Sequence, residues 1–190
     1  MKHHAALPWP EISRFMADLS DREGMGALAL WFTILTAART GEAIGATWSE
    51  VHRPAATWTI PAARMKAGRD HRVPLTDASM AVLREIAPLR DDAAGSWVFP
   101  GARTGHPLSG SVFLTLLRRM DRGDLTAHGF RSTFRDWAAR RSCRGRARAH
   151  PRRQGGGRLP AVRLAGAAAI AHGCLGRVLR HHNAGRRGGR

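Results

Sequence analysis

Three short segments carry basic side chains and one carboxylate at positions that suit the binding of a phosphate anion. Arg39 and Glu42 lie in LTAARTGEAIGATWSEV, at the end of a strongly apolar run. Lys66 lies in RMKAGRDHRVPL, and His128 and Arg131 lie in LTAHGFRSTFRDWA. Because an unpaired buried guanidinium is costly, an arginine at the end of a core helix needs an anionic partner. That partner is either Glu42, three residues further on, or a bound phosphate.

The residue types in these segments suit the binding of a phosphate group. A guanidinium group is always charged and binds phosphate oxygens through a planar fork. Lysine and histidine side chains can donate or accept protons in catalysis. The two cysteines, Cys143 and Cys174, lie far apart and form neither a metal-binding pair nor a disulfide framework by spacing.

Periodic apolar residues predict the elements that must hold these side chains. Ile12, Phe15, Met16 and Leu19 have helical spacing, and the next apolar segment predicts a central helix that ends at about Ala38. The complete set of predicted elements comprises helices over 12–19, 25–38, 76–87, 109–120 and 127–139, and strands over 57–60 and 71–73 joined by a turn that contains Gly68.

Taken in order, these blocks resemble the catalytic domain of the tyrosine-type site-specific recombinases, the phage integrase family. The resemblance rests on Arg-x-x-Glu after an apolar helix, then Trp48, a lysine in a hairpin turn, WVFP, and His-x-x-Arg on a late helix. The resemblance runs from about residue 1 to 139. Within it, the sequence is similar to the integrases of prophages and genomic islands. It implies a mainly helical α+β fold with a small antiparallel β-hairpin sheet, lacking its C-terminal helices. The expected domains are an incomplete integrase catalytic domain over 1–141 and a tail over 142–190.

The resemblance also implies a reaction that uses no metal and no cofactor, and a role for each side chain. Arg39 and Arg131 would bind the non-bridging oxygens of a DNA phosphodiester, and Glu42 would orient Arg39. Lys66 would be the general acid that protonates the leaving 5′-hydroxyl, and His128 would assist proton transfer at the nucleophile. Structural interpretations stay open: Arg39 and Glu42 can form a buried ion pair, and His128 can be a helix-terminal residue without a role.

Further arginines near these segments need separate interpretation. Arg135 shares a helical face with His128, and we expect it to contact the DNA backbone. Arg64 and Arg69 lie close to Lys66 and can be mistaken for it. The expected partners are double-stranded DNA and full-length recombinase protomers. No apolar run is long enough to cross a membrane, so the expected location is the cytoplasm.

The sequence departs from the family at the nucleophile. Family members form a covalent 3′-phosphotyrosyl link through a tyrosine that follows the His-x-x-Arg helix, but these 190 residues contain no tyrosine. The family's amino-terminal DNA-binding domains have no counterpart either. We therefore expect a recombinase fragment that belongs to DNA integration and recombination of a mobile element but does not cleave DNA. The alternatives are a non-enzymatic nucleic-acid-binding remnant and a pseudogene product.

The positive charge is concentrated in the tail. The net charge is +17, yet all 14 acidic residues lie at or before Asp136, whereas 14 of the 31 lysines and arginines lie after it. The residues after Ser142 include no acidic and no aromatic side chain, and this composition favours disorder. Their arginines can bind nucleic acid nonspecifically by releasing counterions, so a tail-based binding protein is a third interpretation.

We hypothesise that the tail arises from a frameshift near Arg141. Its excess of Arg, Gly, Ala and Pro, without Tyr, Phe, Trp, Asp, Glu or Lys, is typical of out-of-frame reading of a GC-rich gene. Sequencing the gene across codons 135–150 and translating the other frames downstream should reveal a histidine-containing helix followed by a tyrosine. If no frame encodes such a segment, the hypothesis is wrong.

Overall fold

The computed structural model describes residues 6–65, 67–90 and 96–146, with the backbone alone for 140–146. Lys66 and the predicted tail beyond residue 146 lie outside this described part. Within it the chain forms six α-helices and one three-stranded antiparallel sheet. The mainly helical α+β class expected from the sequence is therefore confirmed.

The elements follow one another in a simple order. The helices are α1 (Ile12–Ser20), α2 (Met25–Thr36), α3 (Thr40–Ile44), α4 (Asp77–Ile86), α5 (Val112–Arg119) and α6 (Ala127–Arg146). The strands are β1 (Val51–His52), β2 (Thr57–Ile60) and β3 (His71–Pro74), arranged in the order β1-β2-β3. In the register of the sheet Val51 pairs with Trp58, which in turn pairs with Val73.

Helix α2 is the centre of the hydrophobic core. Every residue from 29 to 36 is buried, and the helix contacts each of the other five α-helices in the described part. A helix that is apolar on all sides has to be enclosed on all sides. The ring of Phe32 lies 5.3 Å from that of Trp58 on β2 and 5.5 Å from that of Phe99. The sheet and the segment before α5 are therefore packed onto α2.

Helix α6 is fastened to the amino-terminal part of the domain. The ring of Phe130 lies 4.8 Å from the ring of Phe15 on α1. The hydroxyl of Thr133 donates a hydrogen bond to the carbonyl of Leu7 at 2.6 Å, so this buried polar group is satisfied. These contacts bring the His-x-x-Arg segment against the end of α2, although about ninety residues separate the two along the chain.

The end of α2 differs from the sequence prediction. The helix was expected to reach Ala38, but it ends at Thr36, because Ala37 has the left-handed conformation with φ of 50°. Helices commonly end at a residue in the left-handed conformation, and this residue is usually glycine. Arg39 consequently lies directly before a new short helix, α3, which periodicity did not predict.

Smaller differences concern other elements. Helix α6 continues to Arg146 instead of ending at Ala139, and β1 was not predicted because a two-residue strand has no visible alternation. Trp97 is only partly buried, and its indole N–H donates to the carbonyl of Gly105 at 3.1 Å. None of the helices in the described residues combines the length and the apolar character that crossing a bilayer requires.

Candidate active site

Helix α3 presents Arg39 and Glu42 as a pair at its first turn. Arg39 is the residue immediately before the helix, and its backbone N–H donates to Oε2 of Glu42 at 2.8 Å. Its guanidinium Nη1 donates to Oε1 of the same carboxylate at 2.5 Å. The Glu42 side chain is only 8% exposed, whereas the Arg39 side chain is 51% exposed. The carboxylate therefore lies on the inner side of the pair, and the guanidinium can be reached from solvent.

Arg131 reaches the same carboxylate from α6. Its Nη1 donates to the carbonyl of Ala37 at 2.6 Å and lies 4.0 Å from Oε2 of Glu42. Its side chain is 31% exposed. The left-handed turn that ends α2 is therefore also the turn whose carbonyl binds Arg131. Two guanidinium groups, from distant parts of the sequence, converge on one carboxylate.

The charges around Glu42 determine its titration. Burial raises the pKa of the Glu42 carboxyl, because the charged form loses its solvent. The hydrogen bonds from the backbone and guanidinium of Arg39, with the positive charges of Arg39 and Arg131, outweigh this effect. The net result is a pKa below the ordinary value of 4.5. Glu42 is therefore an anion at neutral pH and holds both arginines electrostatically.

His128 and Arg135 lie one turn before and one turn after Arg131 on α6. His128 is in the first turn of this helix, where the hydroxyl of Thr126 accepts a hydrogen bond from the N–H of Gly129 at 3.1 Å. The Thr126 cap fixes the start of the helix where the sequence predicted it. Both His128 and Arg135 are exposed. The helical spacing places these two side chains and Arg131 on the same side of α6.

The hairpin connection between β2 and β3 is described except at Lys66. The predicted role of Lys66 therefore stays a prediction. Of its two basic neighbours, Arg69 is exposed, whereas Arg64 has a defined structural partner. The Arg64 guanidinium forms an ion pair with Glu50 and donates to the carbonyl of Glu42 at 2.7 Å. Arg64 thus joins the hairpin connection to α3.

Sequence reasoning did not identify the contacts of Arg64. Its partner Glu50 is 14 positions away in the sequence, and the partner carbonyl of Glu42 is 22 positions away. Local patterns reveal helix and strand periodicity, but they do not reveal pairings over such distances. In the described residues, no three His, Cys, Asp or Glu side chains lie close enough together to hold a metal ion.

Stability in acid should depend on Glu42. Because its folded-state pKa is lowered, its contribution to the free energy of unfolding is complete above pH 4.5 and is lost as the pH falls through the lowered pKa. Glu42→Gln should lower the free energy of unfolding at pH 7 by about 1–2 kcal/mol, because charge-assisted hydrogen bonds are lost at a partly exposed site. In urea titrations below pH 4.5, the free energy of unfolding of this variant should depend less on pH than that of the unsubstituted chain.

Asp124→Asn is the matched control for this substitution. The hydrogen bond from Arg122 lowers the pKa of Asp124 too, but this carboxylate is 58% exposed. Its removal should cost less than about 1 kcal/mol and have no effect in high salt. If the free energy of unfolding falls equally in acid for Glu42→Gln and for the unsubstituted chain, the assigned role of Glu42 is wrong.

The sequence matches the family model described as "Phage integrase family" over residues 8–145. It is 35% identical to prophage integrase IntA of Escherichia coli (strain K12) over 125 residues, which are 65% of this chain and 30% of that protein. It is 36% identical to prophage integrase IntZ of the same organism over 135 residues, which are 70% of this chain and 33% of that protein. The matched part thus spans about a third of the length of these relatives.

A solved structure shows the same fold. The crystal structure of XerA recombinase matches with a TM-score of 0.56 and 17% sequence identity, over 98% of this chain and 66% of that chain. At this identity the likeness concerns the fold alone, but the family match covers well over half of the chain. Together with the arginine pair held by a buried glutamate, this match establishes that the chain belongs to the phage integrase family of tyrosine recombinases.

Proposed function

We propose that this chain binds the phosphodiester backbone of double-stranded DNA, as part of the recombination machinery of an integrated mobile element. The observation that carries the proposal is the convergence of Arg39 and Arg131 on Glu42. A buried carboxylate that holds two partly exposed guanidinium groups keeps them close together and oriented. An arginine pair arranged in this way suits a single phosphate group.

The proposed chemistry of the site is electrostatic. Attack on a phosphodiester adds negative charge to its non-bridging oxygens, and Arg39 and Arg131 neutralise this charge. Because the guanidinium groups are already oriented by Glu42, little reorganisation is needed at the moment of reaction. His128 assists proton transfer at the nucleophile, and Lys66 protonates the leaving 5′-hydroxyl. Arg135 contacts the backbone of the duplex beside this site.

The proposed limit of the activity is the missing nucleophile. Covalent catalysis in this family uses a tyrosine, and the 190 residues contain none. Ser132 lies one residue after Arg131, and its side chain is only partly buried, but neither it nor Ser142 stands in a motif that matches the family's nucleophile. We therefore propose that this chain binds its DNA without breaking a strand.

A second candidate function is nonspecific binding by the arginine-rich tail. Ten of the arginines lie after residue 146, and no acidic residue accompanies them. Such a segment binds any polyanion by releasing counterions, and its affinity falls steeply with salt. The two candidates therefore differ in which part of the chain carries the affinity, and deletion of the tail separates them.

Duplex binding should depend on the arginine pair. In a chain that ends at Arg146, Arg39→Ala and Arg131→Ala should each weaken the affinity for a short duplex about tenfold, because a charge-assisted hydrogen bond to phosphate is lost. Each should reduce the slope of log affinity against log salt by about 1. Fluorescence anisotropy at several salt concentrations measures both quantities.

Arg122→Ala is the control for the loss of one positive charge. Arg122 is paired with the exposed Asp124 and is remote in sequence from α3. It should change duplex affinity by less than the two site variants. If all three variants weaken binding equally, the arginine pair is no special phosphate site. If shortening the chain abolishes binding, the tail is the binding element.

Covalent capture tests the absence of strand cleavage. Nicked duplexes that carry the attachment sites of the host element trap covalent protein–DNA adducts of a competent recombinase. We expect no adduct on denaturing gels with this chain, while a tyrosine-containing relative on its own site serves as the positive control. An adduct whose mass corresponds to this chain, prepared without any full-length recombinase, would overturn the proposal that it does not cleave.

A further inference from the structure

We infer that Arg64 is a positioning residue of the phosphate site, which fixes the carbonyl end of α3 and thereby the carboxylate that holds Arg39 and Arg131. The significance for phosphate binding rests on the function proposed above. The structural part of the inference, that Arg64 determines the position of Glu42, stands on contacts within the described residues.

Arg64 makes three contacts at once. Its Nη1 forms an ion pair with Oε1 of Glu50, and its Nη2 donates to the carbonyls of Glu42 at 2.7 Å and Gly41 at 3.2 Å. The Glu50 side chain is 8% exposed, and its other oxygen accepts the indole N–H of Trp58 at 2.9 Å. Trp58 is fully buried on β2, so the guanidinium is anchored to the core of the sheet while it holds α3.

Helix α3 needs support at both ends because it has only five residues. A helix of this length is not stable alone, since nucleation is unfavourable and most of its terminal backbone groups have no intrahelical partner. At the amino end, the Glu42 carboxylate accepts the backbone N–H of Arg39. At the carboxyl end, the Arg64 guanidinium binds two carbonyls, as basic side chains do at helix ends. The position of Glu42 is set by these two contacts together.

Gly45 makes room for the Arg64 guanidinium. Its backbone has φ of −90°, a value that any residue adopts, so conformational freedom is not the reason for glycine. A Cβ atom added there would lie 2.8 Å from Nη2 of Arg64 and 3.0 Å from the carbonyl oxygen of Gly41. The far end of the arginine would have to move, and its two carbonyl contacts would be lost. By contrast, a Cβ added at Gly41 meets nothing within 4 Å.

The same guanidinium also joins the segment between β2 and β3 to α3. Arg64 ends the 3₁₀ turn Ala62–Arg64, and the connection is closed by the N–H of Ala62, which donates to Oδ1 of Asp70 at 2.8 Å. The N–H of Gly68 donates to the carbonyl of Met65 at 3.0 Å. The segment that carries the predicted general acid is thus anchored at Arg64, two residues before it in the sequence. One side chain therefore supports both the arginine pair and this segment.

The experiment compares Gly45→Ala with its matched control Gly41→Ala, in a chain that keeps Arg64. Gly45→Ala displaces the guanidinium without removing its charge, whereas Gly41→Ala adds the same methyl group where there is space. Two quantities are measured in each folded variant: the pKa of Glu42, from carboxyl carbon NMR, and the affinity for a short duplex. Arg64→Met and Arg64→Lys extend the series, because methionine removes all the N–H donors, whereas lysine keeps the positive charge and a single donor nitrogen.

We expect Gly45→Ala and Arg64→Met to raise the pKa of Glu42 towards its ordinary value and to weaken duplex binding about tenfold, since the charge-assisted contacts to Arg39 and Arg131 loosen. Arg64→Lys should fall between these variants and the unsubstituted chain. Gly41→Ala should leave both quantities unchanged. If Arg64→Met does not fold, Gly45→Ala and Arg64→Lys give the same comparison.

Two patterns of result have opposite meanings. If Gly45→Ala and Arg64→Lys lower only the melting temperature, with the pKa of Glu42 and the duplex affinity unchanged, Arg64 is mere structural support and the inference is overturned. If the pKa of Glu42 rises in Gly45→Ala while Arg39→Ala has no effect on duplex binding, the positioning of Glu42 by Arg64 is supported and the proposed phosphate site is what fails.

Discussion

The site depends on the carboxylate of Glu42, which holds two arginines from distant parts of the sequence. Without it, Arg39 and Arg131 would repel each other at close range, since the interaction of like charges is strong where solvent is partly excluded. Although the carboxylate is nearly buried, its hydrogen bonds with Arg39 and the positive charges of Arg39 and Arg131 lower its pKa, so it stays charged at neutral pH. The arginines remain partly exposed on its outer side, where an incoming anion can reach them.

The hydrophobic core makes this arrangement possible. Helix α2 is enclosed on all sides, and it ends in a left-handed turn at Ala37 whose carbonyl binds Arg131. The aromatic contact between Phe15 and Phe130 holds α6 against the amino-terminal helices, so Arg131 reaches that turn. The placement of the two arginines is therefore a consequence of core packing around α2, which positions charged groups more rigidly than exposed loops do.

Membership of the phage integrase family raises the question of what a chain without tyrosine retains. The binding of phosphate and the breaking of a strand are separable properties, because they depend on different side chains. The proposed phosphate site, formed by Arg39, Arg131 and Glu42, lies in the described part of the chain. The support from Arg64 and Glu50 belongs to the same part. The proposed phosphate-binding residues and the nucleophile of the family's reaction are therefore different side chains.

The sequence by itself determined the long elements and the family. Periodicity predicted α1, most of α2, β2, β3, α4 and the start of α6, since a helix or strand that buries one face shows it in the spacing of its apolar residues. The resemblance to the phage integrase family identified Arg39, Glu42, His128 and Arg131, whose order is typical of that family. Only the tertiary structure decided that Arg39 begins a separate short helix, that Arg131 meets Glu42, and that Arg64 supports them both. These contacts join residues far apart in the chain, and their energies come from packing and charge in the folded state. Local sequence patterns therefore do not predict them.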